Sequence, residues 1–504
     1  CRDGRLACGA DEIFGWFTKE VFHLEQEPGA SGRCTLSTWN DAPVTVDPAS
    51  GQLVVGDSLA PENQGPVGIA AAMRSASAGR KETFELEIVD DGIARAVQAA
   101  RNADTAIVVL GNHPLVNGKE TLDRPDICLP GPQMRLARAV LEANPRTILV
   151  IIGSYPLSPT GLADRIPAIL YLSHAGQETG NALAQVLGGL CNPAGRLAMT
   201  WYRSVDQLPP LLDYDVMRGK RTYRWFDGDV LWPFGHGLSY TSFEWSDLEI
   251  TMPDGDSSVH PAGAAGLAGQ PRVSFAIRNS GQLAGEEVAQ LYLQAVDPEI
   301  PMPRRQLAAF DRIRLAPGES RRLEFTLDAA DLRHWDVRSQ EFRISAGRWR
   351  VLAGASSADI RLEGELVMAG QAASPRAADV PCPATSWDDC SSTEIGAGPE
   401  GFQTARCKGE GNRLEYRGFS ADHALAAFEV LVGPAAGRID IRLGGPEGLR
   451  LGTLEVPAGR PGETWRVLSA GLETVLPASG PERGGQTICL LACGIELAWF
   501  RFHG

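Results

Sequence analysis

No apolar run in the 504-residue chain reaches the roughly 18 residues that a membrane-spanning helix needs. Basic charge is also short, with 47 Lys and Arg against 62 Asp and Glu and a net charge of −15. That balance argues against nucleic acid or a membrane as partner. The chain has no nucleophile-elbow serine, no phosphate-binding loop, no Gly-x-Gly-x-x-Gly turn and no paired-cysteine zinc signature. No cofactor and no metal are therefore expected. There is no leading methionine either. The chain starts at Cys1 in what reads as mid-domain, so we take it as a fragment whose upstream portion is missing, and the compartment stays undecided. Of ten cysteines, five lie towards the C-terminus, at Cys382, Cys390, Cys407, Cys489 and Cys493. An odd count leaves one unpaired even if the others bridge.

What is present is ordinary globular material, 43% apolar and 22% charged, long enough for three or four domains. The most ordered pattern runs from Asp104 to Tyr240. Three short apolar segments, Thr105–Leu110, Thr147–Ile152 and Ala168–Leu172, are rich in β-branched residues and read as strands buried on both faces. Between them, Met134 to Asn144 places Leu136, Ala139, Val140 and Ala143 on one helical face, and Glu178 to Leu187 does the same with Ala182, Leu183 and Val186. Asn144-Pro145 ends the first of these helices, because a residue before proline is pushed out of helical geometry. The expectation is a parallel sheet with helices on its faces. The acidic loop Gly111–Arg124 follows the first strand, at the sheet end where open α/β folds bind ligands.

The motifs in this block come in a fixed order: Glu120-Thr121-Leu122-Asp123-Arg124, Ile127–Pro130, Ala143–Thr147, His174–Ala182, Asn192–Leu197 and Pro233–Tyr240. Together they closely resemble the C-terminal α/β sandwich of glycoside hydrolase family 3. The resemblance implies a retaining, exo-acting β-glycosidase, most often a β-glucosidase, acting on an oligosaccharide or glycoside. It further implies a nucleophilic Asp on an N-terminal barrel domain of the same protein, absent from this sequence, and an acid/base Glu on a sandwich loop. By its place in the motif, Glu120 is the acid/base candidate. His113, Asp123 and Arg124 are candidates for lining the pocket or bracing the loop, with an Asp123–Arg124 ion pair as the expected brace. His174, Glu178 and His236 read as scaffold, and the two glycines flanking His236 suggest a tight backbone path. With half of the carboxylate pair missing, the chain alone is expected to be inactive. Two alternatives stay open: an N-acetylhexosaminidase-like branch, which takes its acid/base from the barrel, and a non-catalytic carbohydrate-binding or scaffold protein.

The fold expected for the whole is multidomain, an α/β sandwich plus all-β domains. Residues 1–88 carry a repeated Phe-x-Leu-Glu frame at Phe22–Glu25 and Phe84–Glu87 and look like a partial all-β insert, the end of a fascin-like β-trefoil or of another β-sandwich. Residues 89–245 form the α/β sandwich. Residues 246–370 alternate at strand period and resemble a fibronectin type III-like domain. A Pro- and Ala-rich stretch, 371–384, reads as linker, and 385–504 resembles a family 6 carbohydrate-binding module, a jelly-roll sandwich. Such modules carry an Asp before the Trp-Phe pair of the last strand. Ala498 stands there and offers no side-chain oxygen for calcium. Trp387, Trp465 and Trp499 are the candidate sugar platforms, although core is the commoner state for tryptophan at such positions.

Overall fold

The computed structural model describes residues 22–26, 32–38, 42–55, 82–87, 90–112, 124, 126–252, 270–298, 300–368, 375–409, 411–479 and 485–504. It divides into two compact units, 1–240 and 241–504.

In the first unit the strands are β1 (Phe22–Gln26), β2 (Arg33–Thr38), β3 (Val44–Val46), β4 (Leu53–Val55), β5 (Thr83–Glu85), β6 (Ala106–Gly111), β7 (Thr147–Ile152) and β8 (Ala168–Leu172). Both Phe-x-Leu-Glu frames flank one strand, since β1 and β5 each pair antiparallel with β2. The strands β6, β7 and β8 make a parallel sheet in that order. Helices α1 (Gly92–Arg101) and α2 (Gly131–Ala143) share a core with it, in which Ala100, Val108, Leu110, Ala137, Val140, Leu141, Leu149 and Ile151 are buried. Asp91 caps α1 by accepting from the amides of Ile93 and Ala94 at 3.0 and 3.1 Å, which satisfies donors that the helix cannot. The end of α2 is fixed by the buried Asn144, whose Nδ2 donates to Ala100 O at 3.0 Å and Ala103 O at 2.8 Å while Oδ1 accepts from Arg146 N at 2.9 Å.

Three details depart from the sequence reading. The inner stripe of α2 is Ala137, Val140 and Leu141, rotated from the expected face, because apolar residues occur around most of this helix. On β6 only alternate residues are buried, and Ile107 and Val109 stay 51% and 52% exposed; β7 alone among the three has adjacent residues fully buried, at Leu149, Val150 and Ile151. The helix α3 (Thr179–Leu187) has no buried residue.

The second unit begins with β9 (Phe243–Thr251), β10 (Arg272–Asn279), β11 (Gly285–Ala295), β12 (Gln306–Leu315), β13 (Ser320–Thr326), β14 (Arg333–Asp336), β15 (Glu341–Ile344), β16 (Gly347–Gly354) and β17 (Ile360–Met368). Sheets β13-β10-β9 and β12-β11-β16-β17 enclose Phe275, Ile277, Leu291, Leu293, Trp349 and Val351. The strands β18 (Arg376–Ala377), β19 (Cys382–Pro383), β20 (Asp389–Ser391), β21 (Glu394–Ala397), β22 (Gln403–Cys407), β23 (Asn412–Ser420), β24 (Leu425–Val432), β25 (Gly437–Leu443), β26 (Leu449–Val456), β27 (Arg466–Leu476), β28 (Gln486–Cys493) and β29 (Ile495–His503) follow. They form a second pair of sheets around one core, in which Tyr416, Phe419, Phe428, Phe500 and Phe502 interlock with ring centroids 4.7 to 6.5 Å apart. From residue 375 onwards the stretch read as linker belongs to this sandwich. It supplies β18 and β19 and the core residues Ala378, Cys382 and Ala384.

Candidate active site

The candidate site lies at the carboxyl ends of β6, β7 and β8, where the backbones come very close. A Cβ on Gly111 would sit 1.9 Å from Ile152 O, and one on Gly153 would sit 2.8 Å from Leu157 Cδ1 and 3.0 Å from Asn112 Oδ1. At Gly111 the obstructing atom is backbone, so only glycine fits, whereas at Gly153 the nearest neighbours are side-chain ends. Gln133, in the first turn of α2, clamps Gly111 from both sides: its Nε2 donates to Gly111 O at 2.8 Å and its Oε1 accepts from Gly111 N at 3.2 Å. Asn112 N donates to Ile152 O at 3.1 Å, and Asn112 Oδ1 lies 3.0 Å from His174 Nε2, which ties the end of β6 to the loop after β8. Tyr171 OH donates to Gly153 O at 2.7 Å.

The chain returns at Arg124. Its guanidinium lies 3.9 Å over the ring of Tyr155, and Nη1 donates to Pro156 O at 3.1 Å. Burial pushes this guanidinium below its usual value, opposed by the charges of Tyr155 and Asp126, and it remains a cation throughout the working range. Beyond it, Leu129 N donates to Ser158 O and Ser158 N to Ile127 O at 3.2 and 2.9 Å. Burial, with Asp126 adding to it, raises the Cys128 thiol. Residues 111–112 and 124–129 are thus each tied to the segment 152–158.

His113, Glu120 and Asp123 lie outside the described residues, and with them the expected Asp123–Arg124 pair. Arg124 is described, and its described partners are an aromatic face and a carbonyl. Sequence reasoning gave no role to Gln133, Tyr155 or Pro156. Nothing local in the sequence marks Gln133 as a side chain that reaches back 22 positions to Gly111. His236 sits in a tight path, as the flanking glycines suggested: Gly235 has φ +82° and a Cβ on Gly237 would meet Gly195 O at 2.3 Å. The three tryptophans are placed differently from one another. Trp387 packs against the C-terminal core, whereas Trp465 and Trp499 are half-buried and outside it, with Arg501 5.9 Å above the Trp499 ring. Among the described residues no His, Cys, Asp and Glu cluster could hold a metal ion.

Two family profiles match this chain. Residues 29–240 match the Glycosyl hydrolase family 3 C-terminal domain and residues 287–357 the Fibronectin type III-like domain. The first match starts inside the stretch read as an insert. The chain is multidomain, mostly β with some helices, and contains both of these domains. Among its curated relatives are a probable beta-glucosidase K of Emericella nidulans, 35% identical over 54% of this chain and 32% of the relative, and the thermostable beta-glucosidase B of Acetivibrio thermocellus, 32% identical over 56% and 38%. The crystal structure of the beta-D-glucoside glucohydrolase of Trichoderma reesei superposes with a TM-score of 0.51 at 28% identity, covering 60% of this chain and 44% of that one. The chain spans about a third of the length of the curated relatives it matches.

Proposed function

We propose that this chain is the C-terminal part of a retaining, exo-acting β-glycosidase that removes terminal β-linked glucose, with Glu120 as its general acid/base and the nucleophile on an N-terminal barrel. The observation that carries this reading is the clamp at the sheet end: glycine contacts, Gln133 and the stacked Arg124 hold both flanks of the segment that contains Glu120, within a match to the family 3 C-terminal domain. The names of the relatives support the glucoside. In a retaining mechanism two carboxyl groups stand about 5 to 5.5 Å apart; one attacks the anomeric carbon while the other protonates the leaving oxygen and then activates water. A clamped loop suits the second role, because proton transfer needs the acid within hydrogen-bond reach of the leaving group. Arg124 braces the loop through Tyr155 and Pro156, with Asp123 and His113 as the further candidates for bracing the loop or lining the pocket.

The flanking domains follow the same reading. Residues 1–88 are the end of an all-β insert, 89–245 the α/β sandwich and 246–370 the fibronectin-like brace. The C-terminal sandwich is a jelly roll of the carbohydrate-binding-module type, with Trp465 and Trp499 as the tryptophans open to a sugar.

Hydrolysis of nitrophenyl β-glucoside by the 504-residue chain tests the division of the site. The expected result is no turnover by the chain alone and turnover once the N-terminal portion of the same protein is added. Clear turnover by the isolated chain would contradict the reading.

A further inference from the structure

The hairpin of β14 and β15 leaves the fibronectin-like domain with a four-residue tip, since Asp336 pairs with Glu341. Asp336 shapes that tip. Its buried carboxylate accepts from Arg338 N at 3.0 Å and Ser339 Oγ at 2.9 Å, and Arg343 Nε lies 3.4 Å away. Gln340 closes the turn in the left-handed region, φ +56°, with its amide donating to Asp336 O at 2.8 Å. A turn fixed by one side chain presents the next in a set direction. The side chain presented is Arg338.

Arg338 ends in the C-terminal sandwich. Its Nε is 3.5 Å from Asp388 Oδ1, and its guanidinium lies over the backbone of Gly418, where a Cβ would meet Nη1 at 2.8 Å. Asp388 also receives Arg376 Nη1 at 2.7 Å and Arg417 N at 2.6 Å. Arg376 in turn donates to Arg417 O at 2.5 Å and to Ser386 O. These side chains are almost dry: Arg338 is 10% exposed, Asp388 4% and Arg376 5%. Exposed ion pairs add little, but a carboxylate buried between two cations holds its geometry, because losing one partner leaves charge unpaired away from water.

We propose that the Arg376–Asp388 pair with Gly418 is a receptor for Arg338, and that this plug fixes the C-terminal sandwich to the fibronectin-like domain as one rigid piece instead of a module on a tether. Asp336 sets the tip, Gly418 leaves the space, and Asp388 supplies the charge. The sandwich then acts as a fixed extension with one orientation, and any ligand it carried would be held at a set place.

Hydrogen exchange of the full chain, resolved by peptide, tests this. In Arg338→Ala the segments 336–341 and 415–419 are expected to exchange together, roughly tenfold faster, because the two sides open as a unit. The core segment 488–492 of β28 should not change, which separates undocking from unfolding. Arg338→Lys keeps the charge but loses the planar fork and should fall between. Unchanged exchange in Arg338→Ala, or faster exchange confined to the hairpin, would overturn the proposal.

Discussion

The parallel sheet of the first unit and the C-terminal sandwich of the second differ in what is most tightly made. In the sandwich five large aromatics are fully buried against one another. In the first unit Ile107 and Val109 stay about half exposed, and Leu212 and Tyr214 more so. What is tightly made in the first unit is the polar and backbone work at the sheet end, where Gly111 touches Ile152 O and Gln133 grips both sides of the peptide. Both regions have a packed core, and the sheet adds to its core a backbone clamp at one end. Packing yields stability, whereas a backbone clamp yields position.

Substitutions can break this contrast. Phe500→Ala removes the ring that meets Tyr416, Phe419, Phe428 and Phe502, and should cost the second unit about 3 to 5 kcal/mol in urea unfolding while leaving the first unit's transition in place. Gly111→Ala should destabilise the first unit by about 1 to 3 kcal/mol or more by overpacking, because the obstructing atom is a backbone oxygen. Gly92→Ala, at a position with open space, is the control and should be neutral or stabilising. Asn144→Ala removes the side-chain bonds to Ala100 O, Ala103 O and Arg146 N and should cost about 1 to 3 kcal/mol, read as a lower melting temperature of the first unit.

The smallest effect is one of pH. Burial raises the thiols of Cys407 and Cys489 to about 12, above the ordinary value of 9.0. A group whose folded value is raised contributes stability that is whole below its unfolded value and is lost as pH climbs towards the folded one. The sandwich should therefore weaken between pH 9 and 12 and not before. At pH 8 both thiols should resist alkylation while the exposed Cys191 reacts, since the thiolate is the nucleophile. Equal labelling rates at the three positions would show that the core is open.

How much of this was legible follows from the residues. The runs of β6, β7 and β8 are dense in Ile, Leu and Val, so their existence and parallel pairing could be read, and Asn144-Pro145 marked a real helix end. The inner face of α2 could not be chosen, because Met134, Leu136, Ala137, Ala139, Val140, Leu141 and Ala143 surround most of the axis. The strand β28 is hard to read from sequence, because Ile488 to Ala492 is an unbroken short apolar run, which periodicity cannot classify. Trp499 turns outward through a bulge. Leu431 pairs with Trp499 but Val432 pairs with Leu497, so Leu497 and Ala498 are both buried and the alternation shifts by one. At the site, the motif marked Arg124 but not Tyr155, its stacking partner 31 positions along, because such a contact exists only once β6 and β7 lie side by side. The plug of Arg338 was invisible for the same reason.

The most direct measurement is hydrolysis of aryl β-glucosides by the complete protein, wild type against Glu120→Gln, over leaving groups of rising acidity and with azide added. The account expects a loss of about 100- to 10,000-fold with poor leaving groups, little loss with acidic ones, and rescue by azide to a β-glycosyl azide. An unchanged rate with a poor leaving group would contradict it and move the acid to another residue.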